Sequence, residues 1–210
     1  MQMALVEQIR LAIDILKKGG IVAFPTDTVY GLGASIMQEN TIRKIFLVKR
    51  RKYSVPLPIF LADIKQLNEA VFPVTRIANR LGKHFWPGAI TIVGHKSPRI
   101  PDIITAGKDT IAVRIPRHTI PIALINGLGL PITGTSANVS GEPNTMTAQE
   151  VYRQLGNNVD FIIDDGIGCT KDIVSTIIDA TTDVPRVIRE GAVSAEEIFT
   201  VCASLAKEEY

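Results

Sequence analysis

The 210-residue chain has only two cysteines, Cys169 and Cys202, three histidines and one tryptophan. Neither cysteine sits in metal-ligand spacing, which argues against a disulfide scaffold or a zinc site. His84, His95 and His118 have no partner at i,i+4, so no histidine metal centre is expected. No apolar run approaches the roughly 20 residues of a membrane helix; the longest, such as 21–24 and 89–93, are strand-length. The first 18 residues alternate apolar and charged positions and lack the continuous apolar core of a signal peptide, so the expected location is the cytoplasm, with no membrane contact. The common nucleotide signatures are also missing. No G-x-G-x-x-G follows a strand, and Gly107-Lys108 has Asp102 where a P-loop needs its first glycine. A net charge of +2 is too small to mark a nucleic-acid protein by itself. No repeat, low-complexity tract or linker interrupts the chain, which implies one domain over residues 1–210.

Hydrophobic residues make up 46% of the chain and charged residues 21%, a globular composition. Val6, Ile9, Ile13 and Leu16 recur at helical spacing before Gly19-Gly20, which predicts a helix over 4–18. A short buried strand at 21–24 then runs into a loop through Gly33. Asn40 is placed to cap a helix whose Ile42, Ile45 and Phe46 face the core. Further on, the pattern predicts strands at 59–61, 89–93, 110–115, 161–163, 176–178 and 186–188. Helical patterns cover 64–71, 74–81 and 120–125, and Thr147/Glu150 and Ser194/Glu197 form capping boxes for two more helices. The stretch 131–141, rich in small and hydroxylic residues, is expected to be a loop. Interleaved helices and strands imply an α/β layered domain with a twisted mixed parallel/antiparallel sheet flanked by helices.

Between positions 43 and 52 lie six cations and no acid: Arg43, Lys44, Lys49, Arg50, Arg51 and Lys52. Charge alone leaves two readings open, a solvated helix end or a grip on an anion. Ser136 in Gly134-Thr135-Ser136-Ala137-Asn138 superficially resembles a nucleophile elbow, but Asn138 occupies the second glycine position and no motif nominates a base. What the sequence supplies instead is cations, hydroxyls and amides, including Thr26, Thr28, Lys49, Arg51, Arg114, Ser136 and Asn138, an inventory suited to binding oxyanions.

Seven segments in order resemble the motifs of the YrdC-type threonylcarbamoyl-AMP synthase family. They are Pro25-Thr26-Asp27-Thr28-Val29-Tyr30-Gly31-Leu32-Gly33; Lys49-Arg50-Arg51 with Pro56-Leu57; Trp86-Pro87-Gly88 with Thr91; and residues 110–116. Then follow Thr135-Ser136-Ala137-Asn138 with Ser140-Gly141 and Pro143; Ser175-Thr176; and Arg189-Glu190-Gly191. The resemblance implies synthesis of threonylcarbamoyl-adenylate and pyrophosphate from ATP, bicarbonate and L-threonine, for modification of an adenosine in tRNA. It implies Lys49 and Arg51 as the catalytic pair on the ATP phosphates, with Mg²⁺ helping to neutralise the leaving pyrophosphate. Thr110, Ser136, Asn138 and Arg189 complete the ATP site, and Thr28, Arg114 and Ser175 hold threonine. A planar guanidinium suits the amino acid's carboxylate; a strand-end ion pair is the alternative for Arg114, and from the residues alone Thr28 and Ser175 read as turn residues. Tyr30 and Trp86 could stack on adenine or pack in the core.

Lys52, Phe60 and Glu190 depart from the family pattern, where relatives often carry proline, histidine and proline. Phe60 removes a hydrogen-bond partner near the threonine pocket. The chain resembles the short form of the family, which would leave closure over the nucleotide to the domain itself or to a partner protein. Downstream tRNA-modifying transferase proteins are the implied recipients. Two other functions are open at this point, a double-stranded RNA or tRNA-binding module and a paralogue handling carbamoyl-adenylate.

Overall fold

In the computed structural model, residues 3–170 and 172–203 are described. In chain order they form α1 (Leu5–Lys17), β1 (Val22–Phe24), β2 (Gly31–Gly33), α2 (Glu39–Val48), β3 (Ile59–Phe60), α3 (Leu67–Ala70), α4 (Arg76–Phe85) and β4 (Ile90–His95). The second half gives α5 (Asp102–Thr105), β5 (Thr110–Arg114), α6 (Thr119–Leu128), β6 (Ile132–Thr133), β7 (Thr135–Ser136), α7 (Ala148–Leu155), β8 (Phe161–Ile162), β9 (Thr176–Asp179), β10 (Arg186–Arg189) and α8 (Ala195–Ala203).

The strands make two mixed sheets. One has the order β7-β2-β1-β8 and the other β10-β9-β4-β5-β3-β6. An isolated bridge between Ser35 and Ile132 joins them. Parallel pairs (β1–β8, β3–β5, β4–β9) alternate with antiparallel ones, as the irregular order of helices and strands predicts. One apolar core lies between the larger sheet and the helices around it, with Ile42, Ile45, Leu81, Ile92, Val113 and Ile178 all buried. A second core under α1 and α6 joins Leu16, Phe24, Phe60, Leu124 and Ile132. Burying apolar faces of this kind contributes roughly 25 cal/mol per Å².

Several local expectations are met closely. The helix predicted over 4–18 spans Leu5–Lys17. Thr147 accepts from the Glu150 backbone N–H at 3.2 Å, and Ser194 accepts from that of Glu197 at 3.2 Å, so both boxes are capped on the hydroxyl side. Other details differ. α2 begins at Glu39 with Gln38 at its N-cap and no side-chain cap, which leaves Asn40 inside the first turn. The 64–71 pattern divides into a 3₁₀ turn at 64–66 and α3, because Asp63 and Gln66 close a capping box around the turn. α4 starts later, at a Thr75 cap, and runs through Phe85. Two segments read as loops contain short strands, β2 in the first and both β6 and β7 in the second. These are two or three residues long, and β2 is mostly glycine, which leaves too few alternations for a period-two signal.

Candidate active site

The larger sheet presents one cross-strand row to the space beneath the smaller one. Phe60 on β3 pairs in register with Arg114 on β5, and Thr91 on β4 pairs with Ile177 on β9. The β4–β5 ladder, with Ile92 opposite Val113, brings the two pairs side by side. Side chains of one row share a sheet face, so residues from four strands reach one cavity. Its volume is about 240 Å³, and the other walls are the 26–31 loop, Arg51 with Pro56 and Pro58, residues 134–136, and Ser175 with Arg189. That volume accommodates a small amino acid, while a whole nucleotide would extend out through the mouth.

Arg114 is 3% exposed. Its Nε donates to Gly88 O at 2.9 Å, Nη1 to Thr28 Oγ1 at 3.0 Å and Nη2 to Asp27 Oδ1 at 2.7 Å. Among the described residues, those three bonds leave two of its five N–H groups for a ligand. Burial pushes the guanidinium below its ordinary value and the Asp27 charge pulls it back up. Asp27 also accepts from the Arg117 backbone N–H at 3.0 Å, which anchors the pair to the chain after β5. From below, the Phe60 ring supports the guanidinium, with Arg114 Cζ 5.7 Å from the ring centroid, a cation–π geometry. Phe60 in turn meets Phe24 edge-on at 6.3 Å.

Proton placement along the neighbouring threonines follows from their partners. Thr26 Oγ1 donates to Val29 O at 2.7 Å and lies 3.0 Å from Thr28 Oγ1. With the Thr26 proton committed to Val29, Thr28 is the donor between the two hydroxyls. Thr28 therefore accepts from Arg114 and keeps one lone pair for a ligand's N–H or O–H.

Gly134 sets the clearance over the ring. A Cβ there would lie 2.3–2.7 Å from Phe60 ring atoms, inside any permissible contact. Gly134→Ala should displace Phe60 and with it Arg114, lowering the melting temperature by several degrees for an overpacking cost of about 1–3 kcal/mol. Differential scanning calorimetry measures this directly, and an unchanged transition would contradict the packing argument.

The basic run does not act as a unit. α2 ends at Val48, and Arg50 adopts a left-handed conformation (φ 50°), so successive side chains point to opposite sides. Lys49 turns inward and is 1% exposed, while Arg50 and Lys52 are exposed with Arg43 and Lys44. Lys49 Nζ donates to Ser136 O, to Asn138 O at 2.7 Å and to Asn138 Oδ1 at 3.4 Å. Those three oxygens match the three N–H groups of an ammonium. Burial first, and the Arg51 charge second, push Lys49 down to about 7. Lys49 thus grips the underside of the 136–138 loop, whose upper side carries Ser136 to the cavity. The Ser136 hydroxyl donates to Asn138 Oδ1 at 2.6 Å, and the Asn138 amide donates to Glu142 O at 2.7 Å.

Arg51 lines the cavity, its Nε and Nη2 donating to Val55 O at 3.2 Å and Pro56 O at 2.7 Å. On the opposite wall, Thr91 Oγ1 lies 2.8 Å from Ser175 Oγ, and Arg189 Nη2 donates to Ser175 O at 2.7 Å. Gly191 permits this approach, since a Cβ there would meet Val174 O at 2.2 Å.

Of the residues expected from the sequence, the structure brings Thr28, Arg51, Arg114, Ser136, Ser175 and Arg189 to the cavity wall. Lys49 and Asn138 lie directly behind it. Thr110 shares the face of Arg114 but opens β5, opposite His95, about 13 Å along the strand. Tyr30 lines the cavity with its hydroxyl donating to Ile163 O at 3.1 Å, whereas Trp86 is packed in the core and donates to Ile90 O at 2.9 Å. Asp27, Phe60 and Thr91 carry structural weight here that residue type alone did not assign. The signal for Asp27 lay in its position between Thr26 and Thr28, but its partner is 87 residues away.

The Sua5/YciO/YrdC family, described as telomere recombination, matches residues 14–191. The chain belongs to this family. It is 40% identical over 201 residues to the threonylcarbamoyl-AMP synthase of Pyrococcus abyssi, covering 94% of this chain and 58% of that protein. To the Bacillus subtilis threonylcarbamoyl-AMP synthase it is 39% identical over 201 residues, covering 92% and 56%. The chain thus spans little more than half the length of these curated relatives. Its fold superposes on the crystal structure of P. abyssi Sua5 complexed with L-threonine with a TM-score of 0.89 and 39% identity, covering 96% of this chain and 58% of that one. No helix among the described residues of this family member is long and apolar enough to cross a membrane.

Proposed function

We propose that this chain is an L-threonylcarbamoyladenylate synthase acting in the cytoplasm. The observation that carries the proposal is the Arg114–Thr28 corner. Two guanidinium N–H groups and one hydroxyl lone pair, unclaimed among the described residues, lie side by side, complementary to the carboxylate and the amine of an α-amino acid. The relatives named as synthases and the relative crystallised with L-threonine support the choice of substrate.

In the proposed reaction the ammonium of threonine first releases one proton to solvent, and the free amine then gives the N-carboxylate and water with bicarbonate, keeping one N–H. A carbamate oxygen then attacks the α-phosphorus of ATP, forming the mixed anhydride with AMP and expelling pyrophosphate. Arg114 and Thr28 hold the amino acid, with Ser175 beside them. Arg51, Ser136 and Arg189 face the phosphates, and Lys49 with Asn138 positions the 136–138 loop for them. Thr110, farther along β5, is assigned to the part of the nucleotide that extends beyond the cavity. Among the described residues no three His, Cys, Asp or Glu side chains gather to hold a metal, so the proposal has Mg²⁺ arriving as MgATP. Catalysis then rests on positioning and on cations facing the charge that develops. The exposed Arg43, Lys44, Arg50 and Lys52 are left for solvent or for the backbone of tRNA, and transferases that modify tRNA would take the product.

The purified chain, incubated with ATP, Mg²⁺, bicarbonate and each amino acid in turn, should yield one adenylate with threonine, identified by mass spectrometry together with pyrophosphate. Adenylate formed without any amino acid would favour the carbamoyl-adenylate paralogue, and no adenylate at all would remove the enzymatic reading.

A further inference from the structure

Arg189 is the last residue of β10, and β10 is an edge strand of the larger sheet. Its pairing with β9 slips just before the strand ends. Arg186 faces Asp179 and Val187 faces Ile178, but Ile177 is faced by Arg189, with Ile188 passed over. Ile188 is thus the extra residue of a β-bulge, and it is 53% exposed. Continued in step, the ladder would have set Arg189 opposite Thr176, which is buried on the core face together with Ile178. The bulge sets it opposite Ile177, which lines the cavity. Residues directly opposite share a sheet face, so this one inserted residue extends the row Phe60, Arg114, Thr91 and Ile177 to a fifth strand and ends it on a cation.

Beyond Arg189 the ladder stops, and one side chain takes over. The Thr176 hydroxyl accepts from the Gly191 backbone N–H at 2.9 Å and from that of Val193 at 3.1 Å, and it donates to Val193 O at 2.5 Å. A hydroxyl has one proton and two lone pairs, so its whole capacity goes to the backbone that follows Arg189. Ala192 N donates to Val174 O at 3.0 Å in the same stretch, and the Thr176 backbone N–H donates to Ala89 O at 3.0 Å, which ties the residue to the start of β4. Arg189 has little hold of its own. Its side chain is long and exposed, and Nη2 alone is bonded, to Ser175 O at 2.7 Å and Ser175 Oγ at 3.4 Å among the described residues. Such a side chain has many rotamers to lose, so its aim depends on where the backbone leaves the bulge. We infer that Thr176 is a positioning residue for Arg189: its buried hydroxyl locks the chain after the bulge and so keeps the guanidinium on the cavity face. The inference rests on the proposed synthase activity, in which Arg189 faces the phosphates, and deepens it.

The test is MgATP affinity by calorimetry together with steady-state pyrophosphate release, ATP and threonine varied separately, for the wild type, Thr176→Val, Thr176→Ser, Arg189→Ala and the double variant Thr176→Val/Arg189→Ala. Valine keeps the volume of threonine and removes the hydroxyl, and serine keeps the hydroxyl. Thr176→Val should weaken MgATP binding and lower kcat/KM for ATP about tenfold or more, as expected when a binding group is misplaced by about an ångström, with the threonine KM within about twofold of the wild type. Thr176→Ser should restore most of the loss. In the Arg189→Ala background the same Thr176→Val step should cost less than about twofold, because the group being positioned is gone. A merely structural role would cost the same in both backgrounds and fall on threonine as much as on ATP. Equal losses in the two backgrounds, a threonine KM that rises with the ATP KM, or a folded Thr176→Val variant with unchanged MgATP affinity overturns the inference while leaving the synthase reading in place. If the valine variant does not fold, Thr176→Cys, whose thiol donates and accepts only weakly, takes its place in the same cycle. A wild type that binds MgATP without threonine-dependent release removes the synthase reading while the affinities still decide the role of Thr176, and a wild type that binds no MgATP removes both.

Discussion

Replacing Arg114 by lysine should raise the threonine KM by two orders of magnitude or more while leaving the ATP KM within a few-fold. The guanidinium is buried and spans three directions at once, to Gly88 O, Thr28 Oγ1 and Asp27 Oδ1. An ammonium is a single point with three N–H groups, so it can keep the Asp27 contact but cannot also reach Thr28 and present a planar pair to a carboxylate. The cation above Phe60 also becomes smaller and more strongly hydrated. Arg114→Met should be worse in a different way. It strands the Asp27 carboxylate, and breaking a buried pair from one side costs about 3–5 kcal/mol, enough to lower the melting temperature well beyond the lysine variant. Kinetics on each substrate, together with a thermal melt, separate the two effects. A threonine KM unmoved by Arg114→Lys would dissociate this corner from amino-acid binding.

Lys49→Met should cut kcat/KM for ATP by a factor of 100 or more, with the threonine KM little changed. Methionine preserves much of the apolar stem and removes the three donors that hold Ser136 O, Asn138 O and Asn138 Oδ1. Each buried acceptor left unpaired costs about 1–3 kcal/mol, and the 136–138 loop loses its anchor to the end of α2. Asn138 Oδ1 still receives the Ser136 hydroxyl, so the damage concentrates on the two backbone carbonyls. A variant with native ATP kinetics would show that this loop needs no such tie.

The same lysine sets a pH dependence whose sign can be worked out. Folding lowers Lys49 from 10.5 to about 7, so between those values the unfolded chain binds more protons than the folded one. Stability should therefore rise as pH climbs from about 7 toward 10.5, since the burden of a buried charge, felt in full below 7, is progressively relieved. Nucleotide binding runs the other way. A polyphosphate near the loop favours the ammonium, raises its pKa and draws in a proton. MgATP binding at pH 7–8 should show net proton uptake, read as a buffer-dependent enthalpy in calorimetry, and ATP affinity should decline above pH 7. Lys49→Met should abolish the uptake. Uptake that persists in that variant would assign the proton to another group.

The helices were readable because their causes are local. Val6, Ile9, Ile13 and Leu16 predict α1 by spacing alone, and the Thr147 and Ser194 caps act within three residues of themselves. The order of motifs was equally legible, since it is written along the chain, and the family and the mixed α/β class follow from it. The family resemblance singled out Lys49 and Arg51 from the basic run, but the residues by themselves could not show why these face inward. Lys49 and Arg51 turn to the site and Arg50 away from it only because the chain leaves α2 through a left-handed residue. Thr110 has the right parity on β5 yet stands at its far end, and only the tertiary structure shows that the cavity gathers around the Arg114 end, where Asp27 and Phe60 meet it. Phe60, Arg114, Thr91 and Ile177 come from four strands scattered over more than a hundred residues, and sheet register alone makes them one row. Backbone pairing across such separations depends on the packing of the whole sheet, so the sequence by itself determined the parts and their order, and the tertiary structure decided which of them meet.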